Sequence, residues 1–247
     1  MCDEINELKK LWKEAFGDSD AFLDTFFTKV YAKERTRIQK TDEKISSALY
    51  FFTCQFNNKK IAYLYAIATK SEFRNKGLCK ALMTDTHSYL KSSGYAGAIL
   101  CPASDSLFKF YEKMGYKTCT YVDEEEVSAT EGNISLKKIS GEEYMLLRRS
   151  YIPLNGVIQE NENLDFLKTE TEFYKSDEAL FTSRKHGSKL FVSEFWGNKS
   201  LFGKIVYAMN CEKGIFRSMG NKKPFAMYLP FDAYDTDCPD YFGFAFD

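Results

Sequence analysis

The chain has 247 residues, a formal net charge of −1, 44% hydrophobic residues and 28% charged ones. That is enough apolar material for a folded core, and the charge balance argues against general nucleic-acid binding, which goes with a basic excess. No apolar run approaches the roughly 20 residues of a membrane span, so the expected protein is soluble and has no membrane partner.

The opening, MCDEINELKKLWKEAFG, is charged from its third residue and does not read as a secretory leader. The seven cysteines form no C-x-x-C pair, and His87 and His186 stand apart from other metal-type ligands. Reduced thiols, a cytoplasmic location and no metal are expected.

Ile5, Leu8, Leu11, Trp12, Ala15 and Phe16 recur at helical spacing, so an amphipathic helix opens the chain and ends at Gly17. Asp18 or Ser19 can cap a second helix carrying Phe22, Leu23, Phe26, Phe27 and Val30. Two strands follow, KISSALYFFTCQF and KKIAYLYAIAT, separated by the turn signal Asn57-Asn58-Lys59. Simple alternation puts Ile61, Tyr63, Tyr65 and Ile67 on one face of the second strand. Ala62, Leu64, Ala66 and Ala68 then line the other, as in a strand buried on both sides.

EFRNKGLCKAL then leads into a helix stopped by Gly94, followed by the short strand YAGAILC. A helix from about Ser106 to Met114 carries the stripe Leu107, Phe110, Tyr111 and Met114, and YKTCTYV is the next strand. The acidic stretch DEEEVSATEGN reads as a boundary, which divides the chain into 1–132 and 133–247. After it come a strand (ISLKKIS) and two helices (GEEYMLLRRSYI and ENLDFLKTETEFYK). The strands ALFTSRKHG and SKLFVSEFW precede a helix, NKSLFGKIVYAMN, and the strands GIFRSMG and PFAMYLPFD close the series. The second series has the order of a distant repeat of the first. Alternating helices and strands imply an α/β or α+β fold, a sheet with helices on its faces.

A strand, a basic glycine-containing turn and a helix make a geometry suited to anions. The first helical N–H groups lack intrahelical partners and the helix dipole favours negative charge there. Arg74 and Lys76 add positive charge, and Gly77 lets backbone approach a phosphate. By itself the stretch reads more readily as a basic turn before an amphipathic helix. The Walker pattern and the dinucleotide fingerprint are both absent.

Arg74-Asn75-Lys76-Gly77-Leu78-Cys79 resembles the [QR]-x-x-G-x-[GA] loop of the GNAT superfamily of acyl-CoA N-acyltransferases. YAIATKSEFRNKG resembles that family's strand-then-loop segment and FYEKMGY its later helix-to-strand signature. The resemblance covers about residues 1–122 and implies a mixed, mostly antiparallel twisted sheet flanked by helices, followed by a degenerate second GNAT-like half. It implies an acetyl-CoA-dependent N-acetyltransferase acting on a primary amine of a small molecule or peptide. The N–H groups from Asn75 to Cys79 would hold the CoA pyrophosphate, with Arg74 in the same loop. Ile67 and Thr69 would pair with the pantetheine arm, and Tyr111 would be the acid. Two positions depart from the pattern: Cys79 replaces a Gly or Ala, and Ser104 stands where many members carry a cofactor-contacting Asn. The arrangement is similar to the enhanced-intracellular-survival acetyltransferases, without their lipid-carrier-like domain. By that analogy the α-carboxylate of Asp247 would be the base, and the alternative is a solvated acidic tail. A CoA-binding sensor without catalysis is the competing function, and a homo-oligomer stays open.

Overall fold

The computed structural model describes residues 2–246. The first helices are α1 (Cys2–Phe16) and α2 (Asp20–Lys29), followed by strands β1 (Thr36–Thr41), β2 (Lys44–Phe56) and β3 (Lys59–Thr69). Next come α3 (Leu78–Ser92), β4 (Gly97–Leu100), α4 (Asp105–Glu112), β5 (Lys117–Ser128) and β6 (Lys137–Ile139). Helices α5 (Gly141–Arg148) and α6 (Glu162–Glu170) precede β7 (Glu172–Lys175), β8 (Ala179–His186) and β9 (Lys189–Gly197). Helix α7 (Phe202–Ala208), β10 (Lys213–Met219) and β11 (Lys223–Pro230) complete the list. No helix among the described residues is long and apolar enough to cross a membrane.

The chain forms two compact units, each discontinuous in sequence. One holds the residues up to Lys117 with Met227–Asp237, and the other holds Thr118–Ala226 with the residues from Cys238 onward. In the first, β1, β2 and β3 pair antiparallel, β3 pairs parallel with β4, and β4 pairs antiparallel with the end of β11. The parallel step needs a crossover, and α3 supplies it. One face packs Leu49, Phe51, Leu64, Leu82, Leu100 and Tyr111 beneath α3 and α4. The other packs Tyr50 and Tyr65 against Trp12 of α1 and Phe26 of α2, with Phe52 beside Tyr65. Ser19 caps α2 by accepting from the Phe22 N–H.

In the second unit β6, β7, β8 and β9 pair antiparallel, β9 pairs parallel with β10 across α7, and β10 pairs antiparallel with β5. Its core joins Phe181, Val192, Phe195, Phe202, Ile205 and Phe216 on the α7 side to Tyr144, Phe173, Trp196 and Phe244 on the α5 side. The expected mixed, mostly antiparallel sheet with flanking helices is present in each unit.

Three expectations change. The DEEEVS portion of the acidic stretch belongs to β5, and its carboxylates pair with basic neighbours: Glu124 with Arg217 at 2.9 Å and Glu126 with Lys213 at 2.9 Å. A run of like charge is compatible with a strand when the adjacent strand carries the opposite sign. The predicted sixth helix ends early: α6 stops at Glu170, Thr171 caps it, and EFYK forms β7. Edge strand β1 is an element that the sequence pattern did not suggest. The packed end of the chain is as expected, with Tyr241, Phe242, Phe244 and Ala245 all buried.

Candidate active site

Strand β3 carries a bulge. Ser47–Thr69 and Ala48–Ala68 are opposite pairs, yet Tyr50 opposes Tyr65, so the register shifts between them. The extra residue is accommodated by Ala66, held at φ +48°, a left-handed conformation that costs a non-glycine residue about 1 kcal/mol. The consequence is a change of face. Ile67 packs with Leu64 on the α3 side, not with Tyr65 as simple alternation has it.

The same strand is open along part of one edge. Its pairing with β4 covers only Ile61–Gly97, Ala62–Ala98 and Tyr63–Ile99. Beyond Tyr63 the residues Leu64 to Thr69 have no β4 partner, and β4 itself ends at Leu100. This is the segment in which Ile67 and Thr69 were expected to face an extended ligand. A bare edge of this kind takes an extended chain through main-chain hydrogen bonds.

At the end of β3 the backbone makes a single turn of 3-10 helix, Ser71–Phe73, and enters the loop. Glu14 of α1 accepts the Ser71 N–H at 2.7 Å, and that bond keeps its carboxyl below the usual range. Arg74 folds back so that its Nε donates to the Thr69 carbonyl at 3.1 Å. Lys76 sits over the Phe73 ring at 5.4 Å. Asn75 and Gly77 both have positive φ, +60° and +77°. Gly77 is the N-cap of α3, no side chain caps the helix, and nothing lies within 4 Å of a Cβ built on it. From Asn75 to Cys79 no N–H meets an acceptor among the described residues. These donors, at the positive end of α3, fit a pyrophosphate.

Cys79 is turned away from the loop mouth and packs against the core beneath α3. Burial pushes its thiol up to about 11, so it is a neutral apolar filler. It lies close enough to Tyr111 to interact with it electrostatically. Tyr111 is 6% exposed, and its ring meets Tyr116 edge-on at 5.8 Å. Burial first, then Cys79, pushes its hydroxyl well above the usual phenol range, and no hydrogen bond contributes. Tyr116, fully buried, bonds His87 Nε2 at 2.8 Å, and burial lowers His87 to about 4. Phenols, thiol and imidazole are therefore all neutral at pH 7. Ser104 precedes α4 but is exposed, and its hydroxyl bonds Ser106 at 2.9 Å instead of capping the helix. The structure thus brings the loop, Ile67, Cys79 and Tyr111 into one unit. Asp247 lies outside the described residues. Glu14, His87 and the Ala66 bulge are additions to the sequence reading. None has a local sequence signal, because each is defined by a partner distant in the chain or by strand register.

A family model described as the acetyltransferase (GNAT) domain matches residues 2–119. Over those residues the chain is thus similar to a GNAT acetyltransferase domain. Solved structures with the same GNAT fold match far more of the chain. A GCN5-related N-acetyltransferase from Anabaena variabilis aligns with 93% of this chain and 71% of its own, at 12% identity and a TM-score of 0.71. One from Kribbella flavida aligns with 94% of this chain and 69% of its own, at 11% identity and a TM-score of 0.68. Eis1 from Mycobacterium abscessus aligns with 92% of this chain and 71% of its own, at 10% identity and a TM-score of 0.65. No curated protein matches the chain. At these identities the structural likeness speaks for the GNAT fold alone, over both halves of the chain.

Proposed function

We propose that the protein is an acetyl-CoA-dependent N-acetyltransferase whose acceptor is a primary amine. The observation that carries this is the convergence, within one compact unit, of unbonded N–H groups at 75–79, an open β3 edge and the Tyr111 hydroxyl. The N–H groups would hold the pyrophosphate, and the edge from Leu64 to Thr69 would hold the pantetheine arm. Bound there, acetyl-CoA supplies an acetyl group already activated as a thioester.

Tyr111 holds a proton at neutral pH and would give it to the sulfur as the C–S bond breaks. The attacking nitrogen forms the new C–N bond with its lone pair and releases one proton, which restores the phenol. No net charge is left in a buried site, which suits a group whose ionised form is strongly disfavoured. The Asp247 carboxylate remains a proposal as base. Removing Asp247 moves the terminal carboxylate back by one residue and keeps the buried Phe244 in the core, which a longer deletion strips.

The deciding experiment is CoA binding by calorimetry, with thiol release from acetyl-CoA in the presence of amines. Binding together with amine-dependent release is expected. Binding with no release for any amine would leave a CoA sensor, and no binding would sink both readings.

A further inference from the structure

Resting on the acetyltransferase reading, we infer that Glu14 of α1 is a positioning residue for that reaction. It holds the base of the loop that carries the pyrophosphate donors, and so sets CoA affinity without touching CoA. The loop has few bonds of its own. Its backbone closes one short turn, Phe73 N–H donating to the Lys70 carbonyl at 2.9 Å and Arg74 N–H to the Ser71 carbonyl at 3.2 Å. Arg74 adds its side-chain bond to the Thr69 carbonyl. Among the described residues, two backbone ties leave the loop: Lys70 N–H to the Ser46 carbonyl of β2 at 3.0 Å, and Ser71 N–H to Glu14 Oε1 at 2.7 Å.

The second tie sits where the turn needs it. The first N–H groups of a helical turn have no partner inside it, and Lys70, just before Ser71–Phe73, offers them no side-chain acceptor. Glu14 supplies that acceptor from 57 residues away. Immediately past the turn come Asn75 and Gly77 at positive φ and the unpaired N–H groups at 75–79. Where those donors point follows from how the turn before them is anchored.

Local preference in α1 does not explain a carboxylate at this position. Glu14 lies in the last turn of α1, at the negative end of the helix, where the dipole disfavours an acid and favours a base such as Lys13. Its carboxyl is nevertheless held below the ordinary range, first by the Ser71 N–H and then by the Ser71 hydroxyl, with Arg74 and Lys70 adding attraction. A residue that breaks a local rule and takes its partner from the ligand loop serves the loop. A carboxylate beside an anion site also repels the anion. Glu14 is exposed, so solvent and salt screen that repulsion, whereas its bond to Ser71 acts at contact and outweighs it.

The test is CoA binding to the full chain by calorimetry, with the KM for acetyl-CoA. Glu14→Ala should weaken CoA binding about fivefold, the usual worth of such a side-chain bond to a turn, and should raise KM more than it changes kcat. Alanine suits a helix, so α1 itself is not weakened. Glu14→Gln keeps an acceptor for Ser71 and should stay within about twofold of the wild type. Lys13→Ala is the control. It removes a bond from the same turn of α1 to Asp20 of α2 and should leave CoA affinity unchanged. Unchanged or tighter CoA binding by Glu14→Ala overturns the inference. So does Glu14→Gln as weak as Glu14→Ala, which puts the effect on charge, or an equal loss from Lys13→Ala, which puts it on α1 as a whole. Failure of the wild type to bind CoA is a separate outcome that takes down the acetyltransferase reading as well.

Discussion

The two units use one local plan and reach opposite ends. In each, an antiparallel hairpin leads through a helix to a parallel strand: β2, β3, α3 and β4 in the first, β8, β9, α7 and β10 in the second. Both middle strands are bulged. In the first unit the bulge is followed by an unpartnered edge and by a loop of free N–H groups. In the second, β9 stays paired with β10 beyond its bulge, through Ser218 and Phe195. There Thr182 Oγ1 accepts the Glu194 N–H at 3.0 Å, so the bulge is satisfied internally. The link to the helix is also shorter, from Gly197 straight into a 3-10 turn at Lys199–Leu201. The chemistry diverges in the same way. The first unit buries neutral titratable groups, while the second buries an ion pair, Arg148–Glu194 at 2.7 Å, completed by Tyr144 and by Tyr241 from the chain's last segment. The loop after β3 keeps its N–H groups at 75–79 unpaired, while the corresponding bulge of β9 pairs its own with Thr182 and with β10.

That contrast is easiest to break in the second unit. Arg148→Met should cost about 3–5 kcal/mol of stability, because it leaves Glu194 charged, buried and short of its partner. Arg148→Met combined with Glu194→Leu should recover much of the loss, as a like-sized apolar pair often does. Urea titration measures both. CoA affinity at a temperature where the variants are folded should not change, and a drop there would mean that the second unit is more than scaffold.

In the first unit the largest effect belongs to Tyr111→Phe, which should lower kcat about 10²–10³-fold with little change in CoA binding. The ring keeps its packing on Tyr116, so stability should move little. Unchanged turnover would remove Tyr111 from the chemistry. His87 gives a pH test of the neutral interior. Its folded value is about 4 against an ordinary 6.5, so between those pH values the unfolded chain binds the extra proton. Stability should therefore be full above pH 6.5 and fall toward pH 4, by up to about 3 kcal/mol. His87→Gln should flatten the slope relative to the wild type, and parallel slopes would exclude His87 as its source.

How much of this was legible follows from what each feature depends on. β2 and β3 matched their predicted limits, because apolar runs around an Asn-Asn turn are local signals, and both asparagines adopt positive φ. The loop's place between β3 and α3 and Tyr111's place on α4 were legible through motif and order together. The bulge was not, since Ala66 has no feature that sets it apart and its conformation follows from how β2 and β3 register. Nor was the strand character of DEEEVS, because the lysines and arginines that neutralise it lie about ninety residues further along the chain. Cys79 looked like an obstruction to phosphate in sequence. In the fold its side chain points into the core, so the position needs a small buried group and a thiol serves.

The smallest expected effect bears most directly on the comparison. Gly77 holds φ +77° with open space where a Cβ would stand, so a side chain there meets backbone strain and no clash. Gly77→Val should cost about 1–2 kcal/mol, the penalty of a left-handed conformation for a branched residue. If the loop holds its shape, that cost appears as lost stability. If it relaxes toward negative φ, the N–H groups at 75–79 no longer converge, and the cost appears as roughly tenfold weaker CoA binding. The loop lies outside the core and carries no cap, so relaxation is the easier route and affinity is the expected readout. Gly197→Ala in the second unit is the control. Its added Cβ would meet the Glu178 carbonyl, so it should lower the melting temperature and leave CoA binding alone. Weaker CoA binding from Gly77→Val and not from Gly197→Ala separates a cradle from a turn, and the reverse pattern would place the anion site elsewhere.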